Sequence, residues 1–296
     1  MKIISIGEVL WDVVGAEEHL GGAPFNFAAH AKRLGHTVHF VSAVGTDPRG
    51  HRVLERMAEM GLSTRYVRRI SGQPTGIVSV RLDSARQPTF TIHHPAAYDF
   101  TELSDAQAAE LLSERPDWIY FGTLFQMSAQ GRAVVKKLIE PGSGARVFYD
   151  VNLRAGCFEA RLVEDLMSVA GVVKLNDLEA ARMDEMFGRP HGGLEDFCRY
   201  YTGRFGGEGV CITRGAGGCV ALLEGKFLEA PGYHVEVVDA IGAGDAFAAA
   251  FIHGMNEGWP AVEIADFANR VGALVASRPG AIPRWTLEEV KSLHRA

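Results

Sequence analysis

The sequence predicts an α/β fold: one doubly wound, mostly parallel central sheet with helices on both faces and a small β-sheet lid. Three observations predict it. Short apolar runs alternate with helical spacing from residue 117 to 213, the pattern of βαβ units. Between about Tyr66 and His94 the polarity alternates instead, as in antiparallel strands with one wet face. The 296 residues contain no repeat, low-complexity segment or linker, so the chain reads as one domain, 1–296, with lid strands inserted at about 9–20 and 66–98.

Residues 2–6 read as a buried strand ending at Gly7-Glu8, and Val9 to Val14 continue the β character and carry Asp12. Gly21-Gly22-Ala23-Pro24-Phe25-Asn26 leads into a helix, with Pro24 suited to its first turn and Gly35 to its stop. A strand at 38–44 precedes a helix that Asp47-Pro48 opens and Gly61 ends. In the lid, Ile77, Val78 and Val80 form one run and Phe90 and Ile92 another, parted by the turn formers Asp83 to Pro88. Ser104 and Gln107 have capping-box spacing for a helix to about Arg115. Strand 117–121, helix 128–140, strand 145–150, helix 158–169 and strand 171–175 follow. Helices 177–187 and 194–205, then strand 208–213, continue the alternation. Two strands, 219–223 and 226–230, turn at Glu224-Gly225. Val235, Val237 and Val238 suggest one more strand before helices 243–256, 261–277 and 286–295.

Composition narrows the function. Hydrophobic residues make up 47% and charged residues 22%, an ordinary globular balance, and the net charge of −6 argues against nucleic acid or an acidic membrane as partner. Cys157, Cys198, Cys211 and Cys219 show no CxxC or ligand spacing and read as small buried hydrophobes. The first residues are too short for a signal-peptide core, and no apolar run approaches the ~20 residues of a membrane span. The expectation is a cytoplasmic protein.

The stretch with most chemistry is Val238 to Phe247. Gly242, Ala243 and Gly244 are small enough for another molecule to approach the backbone, at the start of a helix whose free N–H groups suit an anion. Asp245 is odd there, since a carboxylate repels the anion the turn attracts. Phosphoryl transfer needs both: donors for the phosphoryl oxygens and a carboxylate for the proton of the attacking hydroxyl. A plain helix cap explains Asp245 equally well.

In open parallel sheets ligands bind beyond the carboxyl ends of the strands. Asp12, Gly22 with Asn26, Asp150 with Asn152 and Arg154, Asn176 with Glu179, Thr213 to Gly218, and Asp239 to Asp245 all follow expected strands, so they share one crevice. Each has a duller reading. Asn26 suits a cap, Asn176 and Glu179 suit a capping box, and Thr213 to Gly218 suits a β-turn. Asn176 and Glu179 equally suit magnesium waters, since that ion keeps several waters and few protein ligands.

Gly21-Gly22-Ala23-Pro24-Phe25-Asn26 together with Gly45-Thr46-Asp47-Pro48-Arg49-Gly50 resembles the first signature of the ribokinase-like (PfkB-type) carbohydrate kinases. Asp239 to Phe247 resembles the second. The resemblance runs from Met1 to about Ala281 and implies ATP and magnesium as cofactors. It implies that Asp245 is the catalytic base and that the amides of Gly242, Ala243 and Gly244 hold the γ-phosphate. Asp12, Gly22 and Asn26 match sugar-binding positions, with Asp150 and Arg154 beside them. Asn176 and Glu179 match the NxxE motif tied to magnesium and phosphate. Thr213, Gly215 and Gly218 match the nucleotide loop, and Asn269 a residue near the adenine. The family's monovalent cation, potassium, would lie between Asp239–Ile241 and Ala276–Gly280. Ala240 replaces the commoner Thr of the second signature, a change that a carbonyl ligand survives.

The resemblance implies transfer of the ATP γ-phosphate to a primary hydroxyl of a small sugar. Glu8-Val9-Leu10-Trp11-Asp12 resembles the fructokinase-like branch, which makes fructose to fructose 6-phosphate the first expectation. Ribose, 2-keto-3-deoxygluconate and a nucleoside are the competitors. A nicotinamide dehydrogenase is excluded, since the first βα turn lacks GxGxxG. A non-catalytic sugar-binding regulatory protein would be free to lose Asp245, and this chain retains it. An exposed lid edge could also pair with a second copy as a homodimer.

Overall fold

The computed structural model describes residues 1–82, 88–139, 144–190 and 192–294. Its first strand, β1 (Lys2–Ile6), divides its side chains between two apolar layers, Ile3 to one face and Ile4 and Ile6 to the other. That period of two is what a strand buried on both faces requires. The chain then forms β2 (Leu10–Val14) and β3 (Glu17–Gly21), a hairpin, and α1 (Ala23–Arg33). Next come β4 (Thr37–Gly45), α2 (Pro48–Glu59), β5 (Val67–Ile70), β6 (Gly76–Leu82), β7 (Pro88–Ile92) and α3 (Asp105–Ser113). The βα units follow: β8 (Trp118–Gly122), α4 (Ala129–Leu138), β9 (Arg146–Asp150), α5 (Ala160–Val169) and β10 (Val172–Asn176). After α6 (Asp177–Met186) and α7 (Leu194–Phe205) come β11 (Gly209–Thr213), β12 (Cys219–Leu223) and β13 (Lys226–Ala230). Helices α8 (Ala243–Asn256), α9 (Ala261–Ala276) and α10 (Leu287–Ser292) finish the chain.

Nine strands form one sheet in the order β13-β12-β11-β10-β9-β8-β1-β4-β5. It is parallel from β5 to β11, with β12 and β13 antiparallel at one edge. From β1 the chain first builds toward β4 and then, on the other side, toward β8. The switch point therefore lies at β1, and the crevice opens at its carboxyl end. One apolar layer joins α1, α2, α8, α9 and α10 to the sheet, and the other joins α3 to α7. Phe27 of α1 stacks on Tyr120 of β8 at 3.7 Å, and Phe251 of α8 meets Phe148 of β9 edge-on.

Three sequence expectations change. The lid, β3-β2-β6-β7, is mixed rather than antiparallel, because β2 and β6 pair in parallel. Both leave the large sheet from the same rim, so they run the same way. Second, β5 belongs to the large sheet beside β4 and not to the lid. It is an edge strand with Arg68 and Arg69 exposed, and an edge shows the alternation of a half-wet sheet. Third, residues 235–238 are not a strand. Val237 and Val238 stay exposed, and among the described residues only the N–H groups of Val238 and Asp239 pair, both with the Ala276 carbonyl. β-Branched residues favour a strand only where there is a surface to pack on. The expected lid turn at Asp83–Gln87 lies outside the described residues, as does the end of the last expected helix. No described helix is long and apolar enough to cross a membrane.

Candidate active site

α8 starts after Gly242, which caps it with φ at 79°, in the left-handed region. A Cβ at Gly242 would meet the Ala281 carbonyl oxygen at 2.3 Å, so both conformation and packing demand glycine. No side chain caps this helix. The Ala243 N–H closes a turn onto the Ala240 carbonyl at 3.3 Å, which takes it out of the expected trio of donors. Among the described residues the N–H groups of Gly242 and Gly244 meet no acceptor. Two free donors at the positive end of a long helix make a seat for an anion.

Asp245 is not the cap. Its Oδ2 accepts from Asn26 Nδ2 at 2.8 Å, across from α1. Asn26 is held in turn by its own N–H, which donates to the Gly22 carbonyl at 2.8 Å. Burial, and then the nearby Asp150 charge, push the Asp245 carboxyl up to about 6, against the pull of Lys174, the Asn26 amide and Arg154. A buried carboxylate of that basicity accepts a proton better than an ordinary aspartate.

The sequence reading missed Lys174. In Val172-Val173-Lys174-Leu175-Asn176 the strand period puts Lys174 on the same face as Val172, toward α8. Its Nζ donates to both oxygens of Asp150, at 3.0 and 2.9 Å, and would lie 3.2 Å from a Cβ placed on Gly244. The open face of Gly244 thus looks onto an ammonium group. Burial opposes that charge, but Asp150, with Asp245 and Glu179, keeps the Lys174 pKa above the usual lysine value. Tyr120 Oη donates to Asp150 Oδ2 at 2.9 Å. Asp150 is therefore the buried counterion of Lys174 and not a free sugar ligand. The signal was a lysine inside an apolar parallel strand, where a charge needs a reason.

On the other side of Asp245 the crevice carries acids. Gly22 has φ at 112°, and a Cβ there would meet the Glu8 carbonyl oxygen at 2.5 Å. Glu8 is buried, its Oε2 lacks a partner among the described residues, and burial pushes its carboxyl up to about 7. Asp12 Oδ2 lies 2.9 Å from a Cβ placed on Gly21, and burial raises this carboxyl to about 6. Arg154 is exposed, its guanidinium has no hydrogen-bond or ion-pair partner among the described residues, and it acts electrostatically on Glu8, Asp12 and Asp245 alike.

A family model, "pfkB family carbohydrate kinase", matches residues 3–287. The chain belongs to the pfkB family of carbohydrate kinases. An uncharacterized sugar kinase of Pyrococcus horikoshii is 31% identical, over 94% of this chain and 91% of its own. Its structure in complex with ATP superposes with a TM-score of 0.82 at 28% identity, covering 99% of this chain and 100% of that one. A fructokinase of Escherichia coli is 27% identical over 88% of this chain and 87% of its own. A fructokinase structure from Xylella fastidiosa with bound ATP has a TM-score of 0.86 at 24% identity, covering 99% and 97% of the two chains, a likeness of fold.

The remaining expected residues of this pfkB kinase divide in two. Thr213 to Gly218 forms a tight loop with Gly215 at φ 55° and Gly218 at φ 82°. A Cβ on Gly218 would strike the Ala230 carbonyl at 2.2 Å, so this glycine lets the loop pack on the chain after β13. Asn269 is buried and donates to the carbonyls of Ala230 and Pro231 at 3.2 and 3.3 Å, so its amide braces that wall. Asn176 and Glu179 form the capping box of α6, at 2.8 Å in each direction. The other Glu179 oxygen accepts from the Leu153 N–H at 2.8 Å, which fixes the backbone next to Arg154. Asp239 accepts from the N–H groups of Ile241 at 2.9 Å and Gly280 at 3.1 Å, bringing together the two segments expected around a cation. Ala276 leaves that ligand set, because its carbonyl already accepts from both Val238 and Asp239.

Proposed function

We propose that this kinase transfers the γ-phosphate of ATP to a primary hydroxyl of a small sugar, with fructose to fructose 6-phosphate as its reaction. The buried Asp245 carboxylate beside two unpaired helix N–H groups carries the reading. The sugar hydroxyl gives its proton to Asp245 as its oxygen attacks the γ-phosphorus in line, and the bond to the bridging oxygen breaks to release ADP. The N–H groups of Gly242 and Gly244 stabilise the transferring oxygens, and the Lys174 ammonium adds positive charge beside Gly244. Asn26 holds Asp245 in place. The lid excludes water.

The donor set fits magnesium brought by the nucleotide. Among the described residues no three His, Cys, Asp or Glu side chains gather into a cage, and that ion needs few protein ligands. Asn176 and Glu179 would face its waters, where the ion would supply charge to the phosphates. For potassium, Asp239 and the carbonyls of Ile241 and Gly280 are the remaining oxygens. Thr213, Gly215 and Gly218 would line the nucleotide, Asn269 its adenine end, and Asp12, Gly22 and Arg154 the sugar.

Fructose rests on the Glu8-to-Asp12 stretch and on similarity to fructokinases at 27% identity or less. One observation favours a second reading: an unpaired Arg154 suits the carboxylate of 2-keto-3-deoxygluconate. A coupled ADP-release assay against fructose, ribose, 2-keto-3-deoxygluconate, tagatose, adenosine and inosine decides. Fructose standing well above the rest by kcat/KM supports the reading, and preference for the sugar acid replaces it.

A further inference from the structure

His30 is fully buried in α1, one turn beyond Asn26. Trp285 Nε1 reaches its Nδ1 at 3.1 Å, and its Nε2 lies 3.0 Å from the Ala281 carbonyl oxygen. An indole N–H only donates and a carbonyl only accepts, so the partners fix one neutral tautomer with the proton on Nε2. Burial agrees, holding the imidazole down to about 4. Three residues on, Arg33 donates to the Pro283 carbonyl, and its guanidinium lies 5.5 Å from the Trp285 ring. His30 and Arg33 thus tie α1, the helix whose Asn26 bonds Asp245, to the segment 281–285, and all three residues share one face at helical spacing.

That segment is no remote tail. The Ala281 backbone is what a Cβ on Gly242 would strike, with its Cα at 2.7 Å and its oxygen at 2.3 Å. The residue before it, Gly280, is pinned by Asp239 Oδ2 at 3.1 Å. The Ala281 carbonyl is therefore pressed between His30 and Gly242, whose N–H meets no acceptor among the described residues. We propose that His30 is a positioning residue for phosphoryl transfer, seating the Ala281 carbonyl against Gly242 so that the free N–H groups of α8 aim at the γ-phosphate. The proposal rests on the reading of that turn as the γ-phosphate seat.

A bland buried histidine would brace the fold and nothing more. The γ-phosphate separates the two roles. His30→Ala should weaken the non-hydrolysable analogue AMPPNP severalfold while leaving ADP within about twofold, and lower kcat about tenfold or more with little change in sugar affinity. His30→Gln keeps a donor for Ala281 and should restore most of the loss. Trp285→Phe, which frees Nδ1 but keeps a ring in place, should fall between, and it carries the test if His30→Ala does not fold.

A lower melting temperature with kcat and the AMPPNP-to-ADP ratio unchanged would overturn the proposal. So would parallel losses of kcat and sugar affinity, which would mean that His30 acts through Asn26. If the wild-type enzyme turned over no sugar, the sugar reading would fall, but the nucleotide ratio would still decide on His30.

Discussion

With Asp245 as the proposed base, activity and stability should move in opposite directions with pH. If Asp245 is the proposed base it must be ionised, so kcat/KM should fall about tenfold per pH unit below its raised value of about 6. For stability the sign reverses. The folded carboxyl has a higher pKa than the unfolded one, so its contribution is complete below the unfolded value near 3.8 and is lost as pH rises through about 6. Asp12, raised to about 6, and Glu8, raised to about 7, add to the same trend. The melting temperature of ligand-free protein should therefore gain from Asp245→Asn at pH 8 and gain little at pH 4. A gain that is the same at both pH values would mean that Asp245 is not raised.

At the scale of elements, strand ends supply the chemistry and their helices hold it. Lys174 in the middle of β10 and Asp150 at the end of β9 form a buried pair, exposed by only 8% and 1%. Removing one partner of such a pair strands the other charge, so Lys174→Met should cost about 3–5 kcal/mol in urea unfolding. Lys174→Met with Asp150→Asn should cost less than Lys174→Met alone, while turnover stays low in both. The α6 cap gives a second case. Glu179→Gln turns an amide N–H₂ toward a backbone N–H, so stability should fall by about 1–3 kcal/mol. If Glu179 also faces magnesium waters, the same variant should need more magnesium at equal turnover. An unchanged magnesium requirement would leave it only the structural role.

The βα core was legible in the sequence because short runs that are apolar throughout, set between helical segments, suit strands buried on both faces and little else. The second signature was legible for the same local reason: small residues then an acid at a helix start. What the sequence hid depends on partners distant in the chain. Asp150 looked free because its counterion lies 24 residues away, and Lys174 belongs to no motif of its own. β5 looked like lid because an edge and a lid share one wet side. Asp47 shows how the first signature hides a structural part. It caps α2 at Gly50, yet it also accepts from Thr75 N–H at 2.7 Å and so anchors the chain entering β6.

Across the whole molecule, the lid strands leave the large sheet from the rim that carries the candidate site. Glu18 of β3 pairs with Arg49 and Arg52 of α2, and Trp11 of β2 lies under Arg52 at 4.4 Å, so the lid is fastened at its root. If the outer lid strands pair with a second copy, light scattering should give twice the chain mass. A monomer would leave those edges to the lid alone.

The measurement that goes furthest is turnover and sugar binding of Asp245→Asn beside the wild type, at saturating ATP and magnesium. A buried general base predicts a folded variant that binds the sugar with unchanged affinity and loses about 10²–10⁴-fold in kcat. Turnover near the wild-type rate would mean that another group takes the proton, and that the carboxylate at the start of α8 only fills its place in the fold.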